Sequence, residues 1–290
     1  MRHDRRLTIM IAAALAAACP PLLAQVAAPS TASATTPAAH QRVLPLEGGR
    51  NFRDLGGYRT TDGHSVKWGL LFRSGSMHGL TPHDYATLEK IGIRVVCDLR
   101  DTRERAAEPA AWPEPGAPLM LTQDYLLDYR MLMPAGPMNT WTAESARAGL
   151  AASYPRMLAQ FNGQYRRMFA QLVAGQAPLA FHCSAGKDRT GIAAALVLTA
   201  LGVPRQTVID DYLLTNQTLD TAALMAGKAS GPMASLPPAV QKAFLAADRS
   251  YIEAALAVVD AHTDGAPGYL RDELGVGPTE IAQLRKLYLD

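Results

Sequence analysis

Residues 190–201, TGIAAALVLTAL, are apolar nearly all the way round a helix. A helix without a polar face has to be enclosed by other elements, so the chain must build layers around this segment. Gly202 supplies the stop, and Pro204 opens the next helix. Immediately before lies the short apolar run 178–181, and between run and helix stands FHCSAGKDRTG. Runs 68–72, 93–99 and 118–121 are also apolar or β-branched. Between the first two, Thr81-Pro82 followed by Asp84 predicts a helix start, and Gly92 its end. Residues 143–173 predict a long helical stretch broken near Pro155, and the chain is helical again after a Gly/Pro break at 231–238. Strands alternating with helices predict an α/β fold: a mostly parallel central sheet flanked by helices, with extra C-terminal helices. In such sheets ligands gather at the carboxyl ends of the strands, where FHCSAGKDRTG falls.

The first residues, MRHDRR, are basic, and 7–24 are nearly free of charge and rich in Ala and Leu, with Pro20 and Pro21 near the end. This reads as a signal peptide over 1–24, with cleavage after Ala24 or Ala28 both open, and it predicts an exported protein, periplasmic or secreted. Arg5-Arg6 offers an incomplete twin-arginine variant, and Cys19 an incomplete lipoprotein anchor. The Ala/Thr/Pro tract 25–40 reads as a disordered linker, and 41–290 as one domain with a full core. Without 1–24 the chain carries 25 basic and 25 acidic residues. A neutral protein gives no global reason to expect nucleic acid as a partner. No membrane span is expected after processing. Only Cys97 and Cys183 then remain, too few for a disulfide scaffold, and no ligand spacing points to a metal.

The backbone N–H groups of residues 184–189, leading into a helix N-terminus, are placed to curl around one anion. The small residues Ser184, Ala185 and Gly186 permit the curl. A cysteine at the head of such a loop feels the same positive field, which favours the thiolate. Arg189, six residues on, has a planar fork that suits two phosphoryl oxygens and can follow them into a trigonal-bipyramidal transition state.

The segment His182-Cys183-x5-Arg189-Thr190 resembles the signature of the protein tyrosine phosphatase superfamily. With 51–57 (NFRDLGG), 71–75 (LFRSG) and 97–100 (CDLR) in the same order, the chain resembles the bacterial tyrosine-protein/lipid phosphatases. That resemblance implies Cys183 as the nucleophile that forms a phosphocysteine, and Arg189 as the phosphate clamp. It implies Ser184, Ala185, Gly186, Lys187 and Thr190 as substrate-binding residues, with the Thr190 hydroxyl near the sulfur. It implies no metal or organic cofactor, and as partner a phosphorylated protein, a phospholipid or an inositol phosphate.

Three carboxyls compete as the general acid that protonates the leaving oxygen: Asp188 inside the loop, Asp124 after a strand, and Asp98, whose other role is pairing with Arg100 or Arg189. Trp112-Pro113-Glu114 resembles an acid-bearing loop but reads as a surface turn. Lys187 adds a second positive charge that suits a multiply charged substrate, or else it pairs with Asp188. Cys97, ending a neighbouring strand, is either a core thiol or a partner for a reversible disulfide with Cys183. Segment 51–57 reads as scaffold, with Arg53 and Asp54 placed to buttress the loop.

A nucleotide-binding P-loop would need Gly at 181 and Ser or Thr at 188, where the chain has Phe181 and Asp188. A sulfurtransferase does not require the trailing Arg-Thr. An inositol polyphosphate phosphatase and a non-catalytic phosphate-binding module stand as alternatives.

Overall fold

The computed structural model describes residues 40–226 and 232–290. The expected signal peptide and, His40 apart, the expected linker lie outside the described residues. Among these, no helix is long and apolar enough to cross a membrane.

Five strands, β1 (Arg53–Asp54), β2 (Leu71–Ser74), β3 (Val95–Asp98), β4 (Leu119–Leu121) and β5 (Leu179–His182), form one sheet in the order β1-β2-β5-β3-β4. β1 runs antiparallel to β2, and the other pairings are parallel. The expected α/β architecture is present, with β5 at the centre. β1 escapes the strand pattern because it is two residues long and both are charged.

Strand alternation sorts the core. Ala180, Phe72 and Val96 face the smaller apolar cluster under helix α1 (Pro82–Ile91), while Leu179, Phe181 and Cys183 belong to the larger one. α1 begins and ends as its sequence predicts, with a Thr81/Asp84 capping box and Gly92 in the left-handed region. A short helix, α2 (Thr102–Ala107), follows β3, and its capping box is Asp101 with Glu104.

The larger face carries α3 (Ala143–Val173), α4 (Asp188–Ala200) and α5 (Arg205–Leu213). It is completed by α6 (Thr215–Thr218), α7 (Thr221–Ala226), α8 (Pro238–Leu245), α9 (Arg249–Ala261), α10 (Gly265–Leu274) and α11 (Pro278–Tyr288). α4 is the enclosed helix: every residue from Arg189 to Leu198 is buried.

α3 corrects the expected break, since it runs unbroken through Pro155. A proline inside a helix removes one backbone bond and crowds the preceding turn. In that turn the Ser153 hydroxyl donates to the Leu150 carbonyl at 2.7 Å. Leu150 and Tyr154 on one side of the proline and Phe161, Tyr165 and Phe169 on the other are all buried in the same cluster. Packing along both halves therefore holds them in line.

Candidate active site

The site lies at the carboxyl end of β5. Between His182 and the start of α4 the chain turns through Gly186 at φ +69°. A Cβ there would stand 2.5 Å from the Gly75 nitrogen and the Ser74 carbonyl carbon, so only glycine lets the loop lie against the segment after β2.

That segment, Arg73 of β2 and the residues just before β1 grip the loop by its carbonyls. Ser184 O accepts from Ser76 N at 2.9 Å and from Arg50 Nη1 at 3.1 Å. Asn51 Nδ2 donates to Ala185 O at 3.2 Å and to Gly186 O at 2.9 Å, and Arg73 Nη2 donates to Gly186 O at 2.9 Å. With these oxygens held, no acceptor among the described residues takes up the N–H groups of residues 184–189. A run of free N–H groups at a helix N-terminus is an anion site.

Of these donors, Asp211 of α5 fixes Arg73 directly and Asn51 through Arg53. Its carboxylate accepts from Arg53 Nε at 3.2 Å and Arg73 Nη1 at 2.5 Å, and from Tyr58 Oη at 3.0 Å. Burial opposes the charge on Asp211, yet the two guanidinium groups hold its carboxyl down to about 2. Burial, with Arg73 close by, lowers Arg53 to about 10. Arg53 thus reaches the loop through Asp211 and Asn51. Asp54 does not buttress the loop: it accepts from Gly56 N and Gly69 N, both at 2.7 Å, and so shapes the turn before β2.

Arg189 is buried, and its Nη1 donates to Leu99 O at 3.0 Å and Tyr125 Oη at 2.9 Å. Glu104 takes Nη1 and Nη2 in a bidentate pair at 2.6 and 2.7 Å. The same carboxylate accepts from Ser184 Oγ at 2.5 Å and Asp101 N at 2.8 Å. Although burial works against it, Arg189 holds Glu104 down to about 2. Arg189 Nε has no partner among the described residues, so the fork is preset on one edge and open on the other. Glu104 escaped the sequence reading. Its signal is the capping pattern Asp101-x-x-Glu104 directly after a strand, which places a carboxylate at that strand's carboxyl end.

Cys183 is buried at the head of the loop as a free thiol. Thr190 Oγ1 lies 3.4 Å from Ser74 O. Cys97 is also free. It faces Phe181 across the β3–β5 pairing, two positions short of Cys183, and burial pushes its thiol up to about 12.

The three acid candidates separate. Asp188 opens α4 beside the loop, with its Oδ1 accepting from Tyr154 Oη at 2.6 Å. Asp124 stands in the loop after β4 with its side chain 88% exposed, tied to Arg105. Asp98 is buried and forked onto Arg100 through Nε at 2.9 Å and Nη2 at 2.7 Å. Trp112 packs edge-on against Tyr85 of α1, over the smaller core, so 112–114 is the surface turn expected.

Lys187 requires a correction. Its ammonium is buried, donates to Phe244 O and to Ala246 O at 3.1 Å, and lies 3.5 Å from Asp188 Oδ1. It anchors the end of α8 and does not add a second charge at the mouth of the loop. As for metals, Glu47, His83 and Asp84 bring ligand atoms together near the start of α1. Asp84 already accepts there from Glu47 N, Gly48 N and Thr81 N.

The sequence model described as the tyrosine phosphatase family matches residues 44–290. The chain belongs to this family. A Cupriavidus necator protein named as a tyrosine-protein phosphatase is 35% identical over 82% of this chain and 85% of its own length. The triple specificity protein phosphatase PtpB of Mycobacterium tuberculosis is 29% identical over 85% of this chain and 99% of its own. A tyrosine-protein phosphatase of Nostoc commune is 28% identical over 73% and 72%. As a member of the tyrosine phosphatase family, this protein is a hydrolase of phosphoric monoesters acting on a phosphorylated substrate.

Proposed function

We propose that this phosphatase is exported and cleaves phosphotyrosine, and beyond it phosphoserine, phosphothreonine and phosphoinositides, through a phosphocysteine on Cys183. The Cys183 sulfur attacks phosphorus, the ester P–O bond breaks, and Asp188 gives its proton to the leaving oxygen. Asp188 then takes a proton from the water that attacks phosphocysteine, releasing phosphate and the thiolate. Arg189 Nε and the loop N–H groups take the phosphoryl oxygens as charge moves onto them.

One observation carries this reading: loop carbonyls gripped from outside, N–H groups left free inside, and Arg189 preset by Glu104 beside Cys183. Lys187 supports a phosphoprotein over an inositol polyphosphate, because the second cation that a polyphosphate would use is bound at the end of α8. Export rests on the character of residues 1–24.

The test is phosphate release by purified protein from a phosphotyrosine peptide, a phosphoserine peptide, a phosphoinositide and phytate. Release is expected from the phosphotyrosine peptide and is lost in Cys183→Ser. Full activity in that variant rejects the thiol mechanism, and phytate as the preferred substrate restores the polyphosphate alternative. Cell fractionation with N-terminal sequencing tests export, which predicts a mature protein starting at residue 25 or 29.

A further inference from the structure

Behind Asp188, two tyrosines form a buried chain that nothing in the phosphatase chemistry above uses. Tyr154 on α3 and Tyr212 on α5 are both fully buried. Their hydroxyl oxygens are 2.6 Å apart, and Tyr154 Oη is 2.6 Å from Asp188 Oδ1. The rings meet edge to face at 6.3 Å, and the Tyr212 ring lies so close to α4 that a Cβ on Gly191 would stand 2.7 Å from it.

The proton inventory fixes the direction of this chain. A carboxylate can only accept, and each phenol has a single proton. Tyr154 therefore donates to Asp188, and Tyr212 must donate to Tyr154. Lys187 Nζ, 3.5 Å from the same Oδ1, is a donor as well. Oδ1 thus faces donors alone and has no room for a proton of its own. Oδ2 has no partner among the described residues, and the Asp188 side chain is 26% exposed.

We propose that Tyr154 and Tyr212 are positioning residues that hold Asp188 with Oδ1 as a permanent acceptor, so that Oδ2 alone gains and loses the catalytic proton. This rests on the reading of Asp188 as the general acid. Tyr154 acts directly and Tyr212 through Tyr154, neither touching the substrate. The arrangement gives the acid one orientation in both of its protonation states, which is what proton transfer to a fixed leaving oxygen requires.

The experiment compares phenyl phosphate, whose leaving group needs a proton, with 4-nitrophenyl phosphate, whose leaving group needs it far less. Tyr154→Phe is expected to lower kcat/KM on phenyl phosphate, which reports phosphocysteine formation alone, about tenfold, the loss of one hydrogen bond to a charged group. On 4-nitrophenyl phosphate kcat/KM should fall much less. Tyr212→Phe should give a smaller loss of the same selectivity. The double variant should be no worse than Tyr154→Phe, because Tyr212 works only through Tyr154. Losses equal on the two substrates, or additive in the double variant, overturn the proposal. So does wild-type behaviour of both phenylalanine variants while Asp188→Asn collapses selectively on phenyl phosphate. Asp188→Asn indistinguishable from wild type removes the acid assignment itself, and activity surviving in Cys183→Ser removes the mechanism, so the failures stay distinct. Thermal midpoints accompany each variant. If Tyr154→Phe does not fold, the substrate selectivity of Tyr212→Phe decides, supporting the chain when selective and overturning it when not.

Discussion

Two arginine-carboxylate clusters flank the loop, alike in chemistry and opposite in use. In one, Asp211 binds Arg53 and Arg73 with side-chain exposures of 1% and 0%. Its guanidinium groups also reach Asn51 and the Gly186 carbonyl, so their donors are turned into the protein. In the other, Glu104 and Arg189 retain 13% and 7% exposure, and Arg189 keeps Nε free. Arg73 Nε is left without a partner, yet it is sealed inside with the rest. Full enclosure makes a brace; one edge left open makes a clamp. The same forked ion pair therefore serves stability or recognition according to whether its donors are sealed inside the protein or left open to a ligand.

The largest expected break in this comparison is Asp211→Ala, which leaves two buried guanidinium groups without their anion. A loss of roughly 3–5 kcal/mol in urea unfolding is expected. Arg189→Lys should do the reverse and spare most of the stability. Its kcat/KM on a phosphotyrosine peptide should fall about a hundredfold or more, because an ammonium cannot keep Glu104 on one edge and phosphate on the other. Equal damage to folding and to turnover in both variants would erase the distinction.

Acid sharpens the comparison further. Both Asp211 and Glu104 are held at about 2, below the usual carboxylate range. The stability they contribute is complete above that range and is lost as the pH falls through it toward about 2. Melting temperature against pH should therefore decline on acidification, and Asp211→Asn should flatten part of that decline. The smallest effect belongs to Asp124→Asn. Its exposed side chain is tied, among the described residues, to Arg105, so kcat within about twofold of wild type and stability within about 0.5 kcal/mol are expected. A large loss of kcat there would move the general acid from Asp188 to Asp124.

What the sequence made legible follows from distance along the chain. The enclosed helix α4, the strand before it and the Cys183–Arg189 spacing lie within one continuous segment, so local pattern was enough. Glu104 meets Arg189 across 85 residues, and Lys187 finds the Phe244 carbonyl 57 residues on. No periodicity encodes where such side chains turn, which is why Glu104 escaped and Lys187 was misplaced. Pro155 misled for a related reason: the local rule for proline is real, but apolar residues on both sides of it bind the same core. Arg53 was singled out correctly as a support, whereas its means, Asp211, lay 158 residues away.

The strand order carries a consequence for how the molecule comes into being. β5 sits between β2 and β3, yet it is made after every other strand of the sheet. Until residue 182 has emerged, the β1–β2 and β3–β4 pairs have no strand to join them. The cysteine that emerges next therefore marks the moment at which the sheet can close, whereas the reactive loop still waits for Asp211 to fix its braces.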